Sequence, residues 1–137
     1  MHDAPFLLRL PAELDQVALL EDAIEAWSSA HGLPPAVAAR LQLVAEEIAA
    51  NVAMHGKGAS FFELRVTRTG EALHLALLDD GPSYDPLARA APDTQAALED
   101  RDAGGLGVHL VRTLTRDARY ERAEGTNRLT CTLPLAA

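Results

Sequence analysis

Glu47, Asn51 and His55 stand four residues apart in the stretch LQLVAEEIAANVAMHG, residues 41–56, and so offer a carboxylate, an amide and an imidazole at one-turn intervals. At about 100° per residue, Val37, Leu41, Val44, Ile48 and Val52 gather into one stripe of an amphipathic helix that must face a core. The three polar residues begin beside that stripe and drift into it, whereas Glu46 projects to nearly the opposite side and belongs in solvent. Burying such groups without partners costs about 1–3 kcal/mol each, so something polar has to lie against this edge. Two readings stay open from the helix alone: structural polar residues satisfied at a core margin, or an edge that holds a ligand. The chemistry such an edge could do is phosphoryl transfer. Asn51 offers a neutral carbonyl oxygen, a hard ligand that Mg2+ accepts beside phosphate oxygens and water. Glu47 could take a proton from a hydroxyl or water attacking a phosphate, a reaction that needs mainly positioning, charge neutralisation and a base. His55 could orient a neighbour or contact phosphate, and serves equally as a hydrogen-bonded structural residue.

Two later stretches offer complementary parts. Asp79 ends an inward-facing row and needs a hydrogen-bond donor there; the exocyclic amine of a purine is one, and a turn that the carboxylate caps supplies another. Gly81, two residues on, lets backbone approach a flat ring closely. Gly104, Gly105 and Gly107 place three glycines within four residues at the entry to a helix, where uncovered N–H groups and the helix's positive end suit an anion such as phosphate. Glycines also make ordinary turns, and that reading stands beside the anion site. Cys131 falls at an inward position of a strand and reads as core rather than nucleophile. The other histidines, His2, His31, His74 and His109, lack metal-ligand spacing, and no G-x-x-x-x-G-K-[ST] loop is present.

The elements that must hold these groups follow from periodicity. Phe6 to Leu10, closed by Pro11, suits an edge strand. Leu14, Val17, Leu20, Ile24 and Trp27 recur with a helical period as far as His31, with Gly32 as a stop and Pro34-Pro35 opening the central helix. After residue 58 the period becomes two: Phe62, Leu64 and Val66 face inward, Thr69-Gly70-Glu71 turns the chain, and Leu73, Leu75 and Leu77 continue to Asp79. Residues 80–103, rich in Pro, Ala and Asp, read as a mobile loop with a short helix, of a length that is usually functional or disordered. A helix from Val108 to Leu114, with Val108, Val111 and Leu114 inward, leads to a closing strand carrying Leu129, Cys131, Leu133 and Leu135. This order predicts an α+β two-layer sandwich, a mostly antiparallel sheet with helices on one face.

The 137 residues fit one compact domain, and 48% hydrophobic residues suffice for a core made mostly of aliphatic side chains, since only 4% are aromatic. A net charge of −8 argues against nucleic acid or an anionic membrane as partner. A single cysteine excludes an intrachain disulfide and a multi-cysteine zinc site. With neither a signal peptide nor a bilayer-spanning apolar run in view, the expected location is the cytoplasm.

Together, E-x-x-x-N-x-x-x-H on a helix, a strand ending D-x-G and a later GGLG before a helix resemble the N, G1 and G2 boxes of the Bergerat (GHKL) ATPase fold. The likeness runs from about residue 6 to residue 135 and is greatest to the small anti-sigma factor serine/threonine kinases, through EEIAANVAMHG, LLDDGPSYDP and GGLGVHLVRTLTRDARYER. It implies ATP and Mg2+ as cofactors, Asn51 holding the metal and Glu47 as catalytic base. It makes Asp79 the adenine-reading acid with Gly81 beside it, sets His55 among the nucleotide-binding residues, puts Gly104, Gly105, Leu106, Gly107 and Val108 at the phosphates, and makes residues 85–103 a lid. The sequence departs from the family where Ser83 replaces the second glycine of D-x-G-x-G, and where Asn127-Arg128 replaces a Gly-Thr pair of the final strand; no site residue is carried over from that strand. The link from His55 to the next strand is also short. The implied activity is phosphorylation of an anti-sigma antagonist, with sequestration of a sigma factor when the antagonist is absent, and homodimers are common among such proteins. A nucleotide-gated binding module with negligible catalysis is the alternative. The catalytic half of a histidine kinase is disfavoured, because a phosphoacceptor hairpin has no room in this length.

Overall fold

The computed structural model describes residues 5–55, 58–83, 87 and 111–135, with the side chain of His55 excluded. A first strand, β1 (Phe6–Pro11), leads through a short turn into two helices, α1 (Val17–Ala30) and α2 (Pro35–His55). The strands β2 (Phe61–Thr69), β3 (Ala72–Asp79), β4 (Arg116–Ala123) and β5 (Thr126–Pro134) complete a sheet of order β1-β2-β3-β5-β4, antiparallel at every pairing. The expected α+β sandwich is thus present.

Local chemistry explains most boundaries. Gly32 takes φ of +62° just past α1, and the N–H groups of Gly32 and Leu33 donate to the carbonyls of Ser29 and Ser28, closing the helix end. Pro35 opens α2, where its missing N–H costs nothing. Gly70, at φ +57°, is the first of two residues linking β2 to β3, and Glu124 and Gly125, at +53° and +76°, form the two-residue turn between β4 and β5. Leu14 departs from expectation. It lies in a 3-10 turn (Leu14–Gln16) and is exposed, because that tighter winding breaks the phase of the apolar row that starts at Val17.

The core lies between the helices and one face of the sheet. Val37, Leu41, Val44 and Ile48 of α2, and Leu20 and Ile24 of α1, are buried against Leu64, Val66, Leu73, Leu75, Leu129 and Leu133. Val52, at the end of the same stripe, is only half-buried. Residues 111–114 are helical, with Val111 buried and its carbonyl accepting both the N–H and the hydroxyl of Thr115; the start of the helix expected from Val108 lies outside the described residues. Cys131 sits in the core, where burial pushes its thiol up to about 11, outweighing the hydrogen bond with Thr115. At neutral pH it is an inert apolar group, as its strand position implies.

On the helix-free face, Glu63 is buried between two arginines, accepting from Arg9 Nε at 2.9 Å and Arg65 Nε at 2.6 Å. Burial alone would raise its pKa; the hydrogen bonds and charges of Arg9 and Arg65 prevail and hold it below the usual carboxylate range. A depressed folded-state pKa adds stability that is complete above the unfolded value of about 4.3 and is lost as pH falls through the folded value. Glu63→Gln is therefore expected to lower the urea midpoint at pH 7, and to lose less stability than the parent between about pH 5 and pH 2. Parallel urea titrations across that range check it.

Candidate functional site

The C-terminal half of α2 lies over the end of β3 and the start of β5, and there the chain brings two of its candidate residues together. Asn51 and Asp79 line one narrow cleft with Ile48, Leu77, Tyr120 and Asn127. Asn51 is 7% exposed, and its Oδ1 has no hydrogen-bond partner among the described residues. Helical geometry explains this: at about 100° per residue, a residue three positions after buried Ile48 turns partly toward the core while its tip stays at the margin. Glu47 is half-buried one turn earlier and lies outside the cleft's lining, and Glu46 is exposed as expected. The side chain of His55, and Gly104, Gly105, Leu106, Gly107 and Val108 with most of the expected lid, lie outside the described residues.

Asp79 has found donors within the protein. Its Oδ1 accepts the N–H of Gly81 at 2.9 Å and Nδ2 of Asn127 at 3.1 Å. The first contact is a capped turn, the structural role that stood open for this residue. Among the described residues, Oδ2 accepts no hydrogen bond and remains available at the cleft. Gly81 is buried against this turn. Asp80 faces its carboxylate toward β2, binding the N–H groups of Ser60 (2.7 Å) and Phe61 (3.1 Å) and the Ser60 hydroxyl. Burial raises its pKa, but these hydrogen bonds outweigh burial and hold it low. Asp80 thereby ties the entry of β2 to the exit of β3.

The residue at the centre of the site is Asn127, to which the motifs gave no role. It is 5% exposed and pairs across the strands with Asp79. Its Nδ2 also donates to Pro82 O at 2.8 Å, while its Oδ1 accepts the Tyr120 hydroxyl at 2.6 Å and Arg122 Nη1 at 3.0 Å. Arg122 Nη1 reaches Gly81 O at 2.7 Å as well. One amide thus fixes the aspartate, the turn after it and the end of β4. A signal for it was available: Asn127 has the same parity as Leu129, Cys131 and Leu133, so the strand's inward row begins with a polar residue. The Ser83 hydroxyl lies 3.4 Å from the Tyr120 hydroxyl, so the residue that departs from D-x-G-x-G borders the same network.

A helix-backed antiparallel sheet, with an amide and a carboxylate converging in a cleft under its long helix, is the architecture of an ATP-binding domain of the kind the three motifs resemble. Residues 10–133 match the family described as the histidine kinase-like ATPase domain, and the chain belongs to that family. It is 35% identical over 97 residues to the serine/threonine-protein kinase BtrW of Bordetella bronchiseptica, 67% of each chain being covered. Its fold superposes with a TM-score of 0.68 on the structure of the RsbU and RsbW domains of Rv1364c from Mycobacterium tuberculosis, at 16% identity over 96% of this chain. The superposed part is 32% of that longer chain. The histidine kinase domain of a blue-light activated kinase from Erythrobacter litoralis gives a TM-score of 0.52 at 18% identity, over 93% of this chain and 62% of that one.

Asn127→Ala removes the partner of the Tyr120 hydroxyl and of the Pro82 carbonyl, and is expected to lower unfolding free energy by about 1–3 kcal/mol. Asn127→Asp sets a second carboxylate where a donor stood 3.1 Å from Asp79 Oδ1. It should cost more at pH 7 than near pH 4, where protonation of one partner relieves the repulsion. Chemical denaturation of both variants at the two pH values is the check.

Proposed function

We propose that this protein is a serine/threonine kinase that takes ATP with Mg2+ in the cleft under α2 and phosphorylates a small anti-sigma antagonist. In the antagonist's absence it sequesters a sigma factor. Family membership and the likeness to a serine/threonine-protein kinase support the reaction class. The observation that carries the site is Asn51, whose buried Oδ1 lacks a partner at the edge of a cleft it shares with Asp79. A stranded amide oxygen is a poor structural choice and a good hard-cation ligand.

In this reading each residue has one task. Asp79 Oδ2 accepts the exocyclic amine of adenine, its other oxygen being held by Asn127 and Gly81. Buried Gly81 gives the base room against the backbone. Asn51 Oδ1 would hold Mg2+, which when bound neutralises phosphate charge. Glu47, half-buried a turn before Asn51, takes the proton from the attacking serine or threonine hydroxyl of the protein substrate. Gly104, Gly105, Leu106, Gly107 and Val108 supply backbone N–H groups to the phosphates, and His55 lies at the same end of α2.

Two variants test this. Glu47→Gln should bind ATP within about threefold of the parent by calorimetry and slow phosphate transfer by about 10²-fold or more, the usual share of a general base. Transfer at the parental rate, read by mass spectrometry of a copurified antagonist, would remove Glu47 from the reaction. No phosphate adduct with the parent protein under any condition would favour the nucleotide-gated binding module. Asn51→Leu removes the stranded oxygen, so the ligand-free variant should melt at or above the parental temperature while losing Mg2+-dependent ATP binding. A clear fall in melting temperature would mean that Asn51 is structural.

A further inference from the structure

Among the described residues the helices cover one face of the sheet, and the other face is rich in arginine although the chain is acidic. Strand register puts Arg9, Arg65, Arg116, Arg119 and Arg128 at outward positions, in a protein whose net charge is −8. A shallow trough of about 440 Å3 runs across β2, β3, β5 and β4, lined by Arg65, His74, Arg119 and Arg128, with Asp117 as its one acid among the described residues. A second trough, of about 320 Å3, adjoins it toward β1 and shares Arg65 and Arg128. Not every acid on this face is committed, for Glu121 and Glu124 line the second trough as Asp117 lines the first. Glu63 is enclosed by Arg9 and Arg65, and Glu121 approaches Arg128 Nε only to 3.9 Å, beyond hydrogen-bond reach. Arg128 Nε, buried at the junction of the two troughs, has no hydrogen-bond partner among the described residues. The Arg128 side chain as a whole is 42% exposed and only loosely paired with Glu121, so its guanidinium can take a carboxylate arriving from outside.

We propose that this open face is a docking surface for a carboxylate-rich segment of a partner protein, with Arg128, Arg119 and Arg65 as its anchors. Two adjoining troughs across five strands, about 19 Å at the usual strand spacing, suit an extended chain with several acids better than one small anion. The acidic remainder of the molecule disfavours a polyanion as long and as highly charged as nucleic acid. A second copy meeting face to face would set arginine against arginine. The surface lies on the opposite side of the sheet from the Asn51 cleft, so the proposal stands apart from the kinase reading.

The test uses the whole protein and a fluorescein-labelled peptide of about twelve residues rich in Asp and Glu, followed by anisotropy. Saturable binding is expected, weakening with added salt, and weakening about tenfold or more in Arg119→Glu/Arg128→Glu. A charge-matched control on the helical side, Arg40→Glu/Arg112→Glu, should change it by less than about twofold. Melting curves establish that the variants are folded, and Arg119→Gln/Arg128→Gln provides a milder substitution giving the same direction. Four results would each overturn the proposal. They are no saturable binding, equal weakening by the control, displacement of the peptide by equimolar inorganic phosphate or by single-stranded DNA, and self-association of the parent that the anchor substitutions abolish in sedimentation.

Discussion

A single cross-strand pair, Asp79 with Asn127, holds the cleft end of this molecule together. Both side chains lie at the inner surface of the sheet, where an unmatched polar group is costly, and each meets part of the other's need. From that pair the constraints spread outward. Asp79 shapes the turn at Gly81, Asn127 tethers Pro82, Tyr120 and Arg122, and the end of the β4–β5 hairpin is thereby fixed against the end of β3. The cleft under α2 has a rigid floor because nearly every polar atom beneath it is spoken for. Among the described residues, Asn51 Oδ1, across the cleft, and Asp79 Oδ2 are the exceptions.

Where local periodicity determined the structure, the sequence was readable. The α2 stripe, the β2–β3 hairpin with Gly70 at its turn, and the inward row of β5 follow from spacings of 3.6 and 2, and each took its expected place. β4 could not be read this way. Its residues, RDARYERA, are mostly charged and exposed, and it joins the sheet through backbone pairing and the contacts of Tyr120 and Arg122. A strand without an apolar face leaves no alternation to detect. Leu14 misled in the opposite sense, fitting a helical row that the chain had not yet entered.

The site divides along the same line. Asn51 and Asp79, which share the cleft, stand out in the sequence because each interrupts an apolar pattern at a place where polarity needs a reason. Asn127 interrupts one too, but its partner is 48 residues away, and only the strand order brings β5 beside β3. Comparison with family motifs worked against it, since a Gly-Thr pair was the expected feature and Asn127-Arg128 looked like a loss. In this chain the asparagine supplies a hydrogen-bonding hub of its own.

The sheet also has two borders, and neither invites another strand. On one side β1 ends in Pro11, which lacks an N–H to donate, and carries Arg9. On the other, β4 is crowded with charge and loses register between Arg116 and Arg119, where Asp117 adopts φ of +54°. Polymerisation by edge-to-edge zippering is therefore disfavoured at both rims, which guards a Leu- and Val-rich sheet against amyloid-like growth.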